Sequence, residues 1–128
     1  MSKYGDAAVL AVRFIETGQS PRGAWDRAAR ETFGEGNTSA GKGCPRDAFL
    51  GLCQQGLVAG VPAGQYTKSR KNKRYTLKAA RALSESPALA GNTVALWNVA
   101  AGGEKIAHNS QMDVVLSLWR SGLLVGGG

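Results

Sequence analysis

Glycine and proline interrupt this chain so often that its ordered segments are short, and apolar residues recur within them at helical spacing. An amphipathic helix buries residues at positions i, i+3, i+4 and i+7. The clearest such stripe ends at Gly122 and consists of Met112, Val115, Leu116 and Trp119. The pattern predicts an all-α fold of about six helices.

Start and stop signals place these helices along the chain. Ser20 and Pro21 form an N-cap and first-turn pair, and Asn92 is a second capping residue. The segment from Gly34 to Gly43 is rich in small polar residues and is predicted to be a loop. The predicted helices are 6–17, 21–34, 45–56, 75–84, 92–102 and one from Asn109 or Ser110 to Gly122.

Two parts of the chain resemble each other. Residues 43–60 (GCPRDAFLGLCQQGLVAG) align without gaps on residues 109–126 (NSQMDVVLSLWRSGLLVG), and the motifs Trp-x-x-Ala-Ala and Tyr-x-x-x-Ala-x-x-Ala recur upstream in the same order. This similarity predicts two three-helix halves, 4–60 and 75–126, packed about a pseudo-twofold axis around one core. The alternative is a chance likeness between helix ends that are rich in Leu and Gly.

The length of 128 residues fits a single domain, which we place at 1–125, with the glycines at 126–128 as a flexible tail. The chain lacks an apolar run of the roughly 20 residues that would span a bilayer, so we expect no membrane association. A basic segment followed by an apolar segment is also missing at the N-terminus, and this favours the cytoplasm.

Positive charge is concentrated in one stretch. The chain carries 16 Lys and Arg residues against 9 Asp and Glu, for a net charge of +7. The stretch from Lys68 to Arg81 contains no acidic residue, and its basic residues are Lys68, Arg70, Lys71, Lys73, Arg74, Lys78 and Arg81. Such a cluster suits nucleic acid or another polyanion, a nucleotide, or an acidic protein face. A solvated basic loop is the alternative.

Two tyrosines, Tyr66 and Tyr75, bracket the basic stretch. In that position their rings are suited to stack on a base or a nucleotide. They are equally suited to anchor the ends of the basic segment against the core.

The N-termini of the third and sixth helices are equivalent in the predicted repeat, and both are polar. Such termini attract anions through free backbone N–H groups, which predicts a small-ligand site with residues from both. Ordinary helix capping is the alternative. The candidate ligand-binding residues are Lys42, Cys44, Arg46, His108, Asn109, Ser110 and Gln111.

Cys44 is the candidate nucleophile, because a thiol at a helix N-terminus beside Lys42 and Arg46 has its thiolate favoured. His108 is the candidate base, although no acidic orienting group or oxyanion motif accompanies the pair. Cys53 lies about 13 Å along the same predicted helix, which is too far for a disulfide. We predict no metal site and no cofactor, since the sequence has neither paired metal ligands nor a nucleotide-binding motif.

The middle of the chain, Gln-Gln-Gly-Leu-Val followed by a turn and Arg-Tyr-Thr-Leu-Lys, resembles a winged-helix DNA-binding domain. The resemblance implies a recognition helix at Cys44–Gln55 and a short β wing near residues 57–77, with strands at 57–61 and 74–77. The chain departs from that family because the recognition helix offers few polar side chains to read bases. Those side chains are Arg46, Asp47 and Gln54.

Nearly the full length is also similar to an uncharacterised family of small bacterial proteins, a domain of unknown function. The motifs that carry this similarity are Lys42-Gly-Cys-Pro, Ala48-Phe-Leu-Gly-Leu-Cys, Tyr66-Thr-Lys-Ser and His108-Asn-Ser-Gln-Met-Asp. The resemblance implies no particular activity.

Three hypotheses follow from the sequence. The leading one is a non-enzymatic nucleic-acid-binding protein of bacterial or phage type, in which Lys68–Arg81 contacts phosphates. The second is a module that binds a small anionic ligand or a protein around Cys44 and residues 108–111. The third is a thiol-dependent enzyme that uses Cys44.

Overall fold

Helices dominate the computed structural model, which describes residues 2–104, 108 and 110–125. Within those residues there are six α-helices and two 3₁₀-helices, which confirms the predicted all-α class. None of these helices has the length and apolar character needed to cross a membrane. The α-helices are α1 (Lys3–Glu16), α2 (Pro21–Phe33), α3 (Gly43–Gln54), α4 (Arg70–Glu85), α5 (Thr93–Ala101) and α6 (Gln111–Arg120), and the 3₁₀-helices are Thr38–Gly41 and Pro87–Gly91.

Polar side chains begin four of the α-helices. In each case a side-chain oxygen of the N-cap residue accepts a hydrogen bond from a backbone N–H inside the first turn, which satisfies a donor that has no partner within the helix. The capping residues are Ser2, Ser20, Ser69 and Asn92, and their donors are the N–H groups of Gly5, Gly23, Asn72 and Ala95.

The core lies around α3, whose apolar residues Phe49, Leu50 and Leu52 are fully buried. Helix α3 packs against α4 and α6, while α1 packs against α2 and α6, and α5 packs against α4. The ring centroids of Trp25 and Phe49 are 5.4 Å apart where α2 meets α3. Buried side chains from all six α-helices form one hydrophobic cluster, so the described residues share a single core.

Two helix crossings depend on glycine because the backbones approach closely. A Cβ atom on Gly51 of α3 would lie 2.9 Å from the Cα atom of Lys73 in α4. A Cβ atom on Gly5 of α1 would lie 2.7 Å from Cβ of Ser117 in α6. These distances are shorter than van der Waals contact, so a larger residue at either glycine would push the helices apart.

The predicted β wing at 57–77 is wrong. Residues 74–77, expected to be its second strand, lie inside α4. The expected first strand contributes Val58 to an isolated antiparallel bridge with Leu124 near the C-terminus, and not to a two-stranded wing. Helix α4 extends further toward the N-terminus than predicted because Ser69 caps it, and Lys and Arg are good helix formers.

Backbone hydrogen bonds around this bridge join the two predicted halves. The N–H of Ala59 donates to the carbonyl of Leu123 at 2.8 Å, and the N–H of Val125 donates to the carbonyl of Leu57 at 2.7 Å. The repeat alignment pairs 57 with 123 and 59 with 125, so each bond is the counterpart of the other under exchange of the halves. The interpretation of the halves as a repeat stays a prediction, and its last position, Gly126, and the predicted tail lie outside the described residues.

Candidate nucleic-acid interface

Residues 70–81 of the basic stretch form the first three turns of α4, and Lys68 precedes the helix. Ser69 Oγ accepts a hydrogen bond from the N–H of Asn72 at 3.3 Å, and Ser69 O accepts one from the N–H of Lys73 at 3.3 Å. The helix therefore begins at Arg70, five residues before the predicted start at Tyr75. The basic side chains consequently project from a rigid helix, whereas the sequence placed most of them in a loop.

The two sides of α4 differ in character. Its buried side carries Asn72, Tyr75, Thr76, Ala79, Ala80 and Leu83. At 100° per residue the basic residues lie on the opposite side, within an arc of about 160°. We call this set the basic face of α4; Lys73 is half-buried, the others are exposed, and the members are Arg70, Lys71, Lys73, Arg74, Lys78 and Arg81.

Little of this charge is neutralised. Arg74 Nη2 lies 3.4 Å from Glu104 Oε1, and both side chains are about half exposed. Within the described residues no other member of the basic face has a carboxylate within ion-pair distance. Lys78 has a structural contact instead, because its Nζ lies beside Gly102, which ends α5 and carries the negative end of the helix dipole.

A cleft of about 450 Å³ opens at the N-terminal end of α4, between α2, α3 and the segment that precedes α4. We call it the α2–α3–α4 cleft. A second cleft of about 340 Å³ adjoins it and extends to Arg70 and Lys73 on the basic face. The two clefts share Gln65, Thr67, Lys68 and Ser69 as a common wall, and the first is lined by Arg22, Arg46, Asp47 and residues 65–69.

The common wall is held against α3 by hydrogen bonds. Gln54 Oε1 accepts from the N–H groups of Tyr66 at 2.8 Å and Thr67 at 3.0 Å. Thr67 Oγ1 donates to Asp47 Oδ1 at 3.1 Å and accepts from the N–H of Ser69 at 3.1 Å. Gln54 and Asp47, which the winged-helix resemblance offered as base-reading groups, therefore fix the backbone before α4.

Asp47 also carries an ion pair. Arg46 Nε lies 3.4 Å from Asp47 Oδ1, and the two side chains are only 27% and 18% exposed. Asp47 thus holds both the Arg46 side chain and the segment around Thr67 in place at the mouth of the α2–α3–α4 cleft.

The two predicted stacking tyrosines differ in exposure. Tyr75 is 2% exposed and its ring centroid lies 5.1 Å from that of Trp97, edge to face. Its hydroxyl is buried without a hydrogen-bond partner. Tyr66 is half-buried, and its hydroxyl donates to the carbonyl of Pro62 at 2.7 Å. Tyr75 thus packs in the core, in line with the alternative to stacking, whereas Tyr66 lines the α2–α3–α4 cleft and its stacking role stays a prediction.

His108 lies before α6 and accepts a hydrogen bond from its first turn. Its Nε2 accepts a hydrogen bond from the N–H of Met112 at 3.0 Å, and its ring centroid lies 5.1 Å from that of Trp97. Burial lowers the pKa of His108, while the charge of Asp113 raises it by a smaller amount. Among the described residues, no hydrogen bond joins His108 to Cys44, so the structure gives no support to the predicted nucleophile and base pair.

The remaining predicted ligand residues, as far as the structure describes them, do not line one common cleft. Arg46 lines the α2–α3–α4 cleft, which Lys42 and Cys44 do not. Gln111 is buried and its Nε2 donates to Asn72 Oδ1 at 3.1 Å. Ser110 adopts a left-handed conformation with φ of 68° at the start of α6, and Asn109 lies outside the described residues.

Among the described residues, neither cysteine belongs to a group of potential metal ligands. Cys53 is fully buried, and burial raises the pKa of its thiol to about 12. Both cysteines are free, and Cys44 is half-buried in the first turn of α3. No group of three or more potential metal ligands occurs in the part of the chain that the structure describes.

Sequence reasoning missed Arg22 and Thr67 as members of the site. Arg22 comes from the first turn of α2 and is far from the basic stretch in sequence, so only the packing of α2 beside α3 brings it to the cleft. Asp47 was named only as a base-reading group of the winged-helix resemblance, because nothing local indicates its contact with Thr67.

Residues 1–125 match the profile of a family of unknown function (DUF6979), and the chain therefore belongs to that family. No curated protein and no solved structure matches the chain. The family match confirms the resemblance to an uncharacterised domain family and assigns no activity.

Proposed function

Because the family to which this chain belongs has no known function, we infer a role from its surface, and we propose a cytoplasmic, non-enzymatic protein that binds nucleic acid. The proposed interface is the basic face of α4 together with Lys68. The observation that carries the proposal is the amphipathic division of α4, in which the basic side chains other than the half-buried Lys73 are exposed and only Arg74 has an ion-pair partner among the described residues.

The spacing of these charges suits a phosphate backbone. Helix α4 contains 16 residues, which corresponds to a length of about 24 Å at 1.5 Å per residue. From Lys71 to Arg81 its exposed cations recur every three or four residues, or about every 4.5 to 6 Å along the axis. A nucleic-acid backbone that follows the helix would therefore meet several cations, and their binding would release counterions.

The same face offers few groups that distinguish bases. Asn72 is the amide side chain within the stretch, and both ends of its amide are engaged: Nδ2 donates to Ser69 Oγ, and Oδ1 accepts from Gln111. The exposed side chains of the face are Lys and Arg, which contact phosphates in any sequence and read chiefly one base, guanine. We propose that binding is largely independent of sequence.

The test is fluorescence anisotropy with labelled duplex DNA, single-stranded DNA and RNA. In one variant four cations of the basic face are neutralised (Arg70→Gln, Lys71→Gln, Arg74→Gln and Arg81→Gln). The matched control removes four positive charges on the α1–α2 side (Lys3→Gln, Arg13→Gln, Arg27→Gln and Arg30→Gln). We expect at least a tenfold loss of affinity in the first variant and a much smaller loss in the second.

Two results would reject the proposal. One is an unmodified protein that fails to bind any of the three polymers at low salt. The other is an equal loss of affinity in both variants, which would mean that net charge alone is responsible. Circular dichroism and thermal midpoints of both variants verify that each is folded.

A further inference from the structure

The α2–α3–α4 cleft gathers cations from three separate elements. Arg22 belongs to α2, Arg46 to α3, and Lys68 to the segment before α4. Arg22 and Lys68 are exposed and have no ion-pair partner among the described residues, whereas Arg46 pairs with Asp47. The cleft is therefore a preformed concave surface with an excess of positive charge.

The single carboxylate of the lining is already engaged. Asp47 Oδ1 accepts from Thr67 Oγ1 at 3.1 Å and lies 3.4 Å from Arg46 Nε. Because Arg46 meets Asp47 through Nε, its terminal nitrogens keep donor capacity for a ligand. Three cations and one carboxylate leave two positive charges uncompensated at the cleft.

We propose that the α2–α3–α4 cleft binds a phosphomonoester dianion. A phosphomonoester carries close to two negative charges at neutral pH, because its second pKa is about 6. A phosphodiester or a simple carboxylate carries only one negative charge and would leave one positive charge of the cleft uncompensated. Guanidinium groups suit phosphate because they donate two parallel hydrogen bonds, and Arg22 and Arg46 bring two of them to one cleft.

This site goes beyond the proposed function, since a small phosphomonoester would fill the cleft without any polymer on the basic face of α4. Two sources share the ligand chemistry, namely a free mononucleotide and the terminal phosphate of a nucleic acid. The second cleft connects the site to Arg70 and Lys73, which gives a terminal phosphate a continuous path to the basic face.

The test is isothermal titration calorimetry with inorganic phosphate, a nucleoside 5′-monophosphate and dimethyl phosphate. The cleft variants are Arg22→Gln, Arg46→Gln and Lys68→Gln, and the control is Arg13→Gln, which makes the same charge change at an exposed position on α1. We expect the monoester to bind about tenfold more tightly than the diester. Each cleft variant should weaken monoester binding about tenfold, and the control should leave it unchanged.

The pH dependence gives a second readout. Monoester affinity should rise between pH 5 and pH 7 as the second phosphate proton is lost, whereas diester affinity should stay constant. Affinity for the monoester that does not change over this range would contradict the proposal, as would equal binding of monoester and diester. No detectable binding of inorganic phosphate or of the mononucleotide, or an equal loss in Arg13→Gln, would also overturn it.

Duplexes with a 5′-phosphate or a 5′-hydroxyl identify the source. Tighter binding of the phosphorylated duplex, lost in Arg22→Gln, assigns the cleft to nucleic-acid ends, while mononucleotide binding with no end effect assigns it to a free ligand. Failure here is distinguishable from failure of the proposed function, because neutralising the basic face should weaken the hydroxyl-ended duplex and leave mononucleotide binding intact.

Discussion

His108 closes the N-terminal end of α6 with a ring nitrogen that accepts the N–H of Met112 at 3.0 Å. Only the neutral ring can accept this bond, so protonation breaks it and places a positive charge at the positive end of the helix dipole. Burial lowers the pKa of His108 below its ordinary value of 6.5. The unfolded chain therefore binds this proton more readily than the folded chain does.

The sign of the pH effect follows from that difference. The stabilisation by His108 is fully present above pH 6.5 and is lost as the pH falls toward the folded-state pKa. Replacement by Ala should cost about 1 kcal/mol of unfolding free energy at pH 7.5 and much less at pH 5. Urea denaturation at both pH values measures this, and a cost that is the same at both would contradict the capping role.

The hydroxyls of Tyr75 and Tyr4 differ in their hydrogen bonding. Tyr75 is buried without a hydrogen-bond partner for its hydroxyl, whereas Tyr4 donates to the carbonyl of Ser39 at 3.1 Å. Tyr75→Phe should leave the unfolding free energy unchanged or raise it by up to about 1 kcal/mol, because an unsatisfied polar group is removed. Tyr4→Phe should lower it by about 1 kcal/mol.

Chemical denaturation of both variants checks this pair. A clear loss of stability in Tyr75→Phe would mean that its hydroxyl has a favourable interaction. The sequence placed Tyr4 and Tyr75 at equivalent positions, but it could not show that one hydroxyl would be bonded and the other buried alone. That difference depends on which chain segments fold over each ring.

At the scale of elements, the crossing of α3 and α4 positions the basic face and the cleft relative to each other. Gly51 leaves no room for a methyl group, since a Cβ there would lie 2.9 Å from the Cα of Lys73. Gly51→Ala should lower the unfolding free energy by about 1 to 3 kcal/mol, because the contact is with backbone and cannot be relieved by a rotamer change.

Gly43→Ala is the matched control in the same helix. A Cβ at Gly43 would meet Arg46 Nη2 at 3.5 Å, which is ordinary contact. This variant should be neutral or slightly stabilising, since Ala favours helix more than Gly does. Thermal midpoints and urea titrations distinguish the two, and equal stability of both variants would contradict the close crossing.

The helices themselves were largely predictable from local signals. Ser20 with Pro21, and Asn92, begin α2 and α5 as their capping chemistry indicates. The start of α4 was missed because Ser69 is followed by basic residues without apolar periodicity, so the only local signal was the cap. The predicted wing failed for the same reason, since residues 74–77 read equally well as strand until the helix before them is recognised.

At the scale of the whole molecule, the site combines features that are near and far in sequence. The positive charge of Lys68–Arg81 was visible in the sequence because it is local. The α2–α3–α4 cleft was not visible, because Arg22 and Arg46 reach it only through packing. Likewise, the buried hydrogen bond between Asn72 and Gln111 joins the basic stretch to a residue that was predicted to bind a small ligand, and nothing local indicated this contact.

The bridge between Val58 and Leu124 concerns the whole molecule, because it joins the two predicted halves. The two hydrogen bonds that flank it exchange places when the predicted halves are exchanged. Gly56 and Gly122, which precede the two bridge residues, have nearly the same positive φ, 73° and 72°. The charges do not follow this pattern, because five of the seven basic residues of the stretch from Lys68 to Arg81 precede residue 75 and so lie between the two halves, outside the repeat. We therefore expect polyanion binding on one side of the molecule only.

The salt dependence of duplex binding tests the central claim most directly. Each phosphate contact contributes about 0.9 to the slope of log K against log salt. The variant with four neutralised cations on the basic face should lower the slope by about 3 to 4, and the α1–α2 control should leave it close to that of the unmodified protein. Equal slopes in the two variants, or binding without salt dependence, would contradict a phosphate interface on α4.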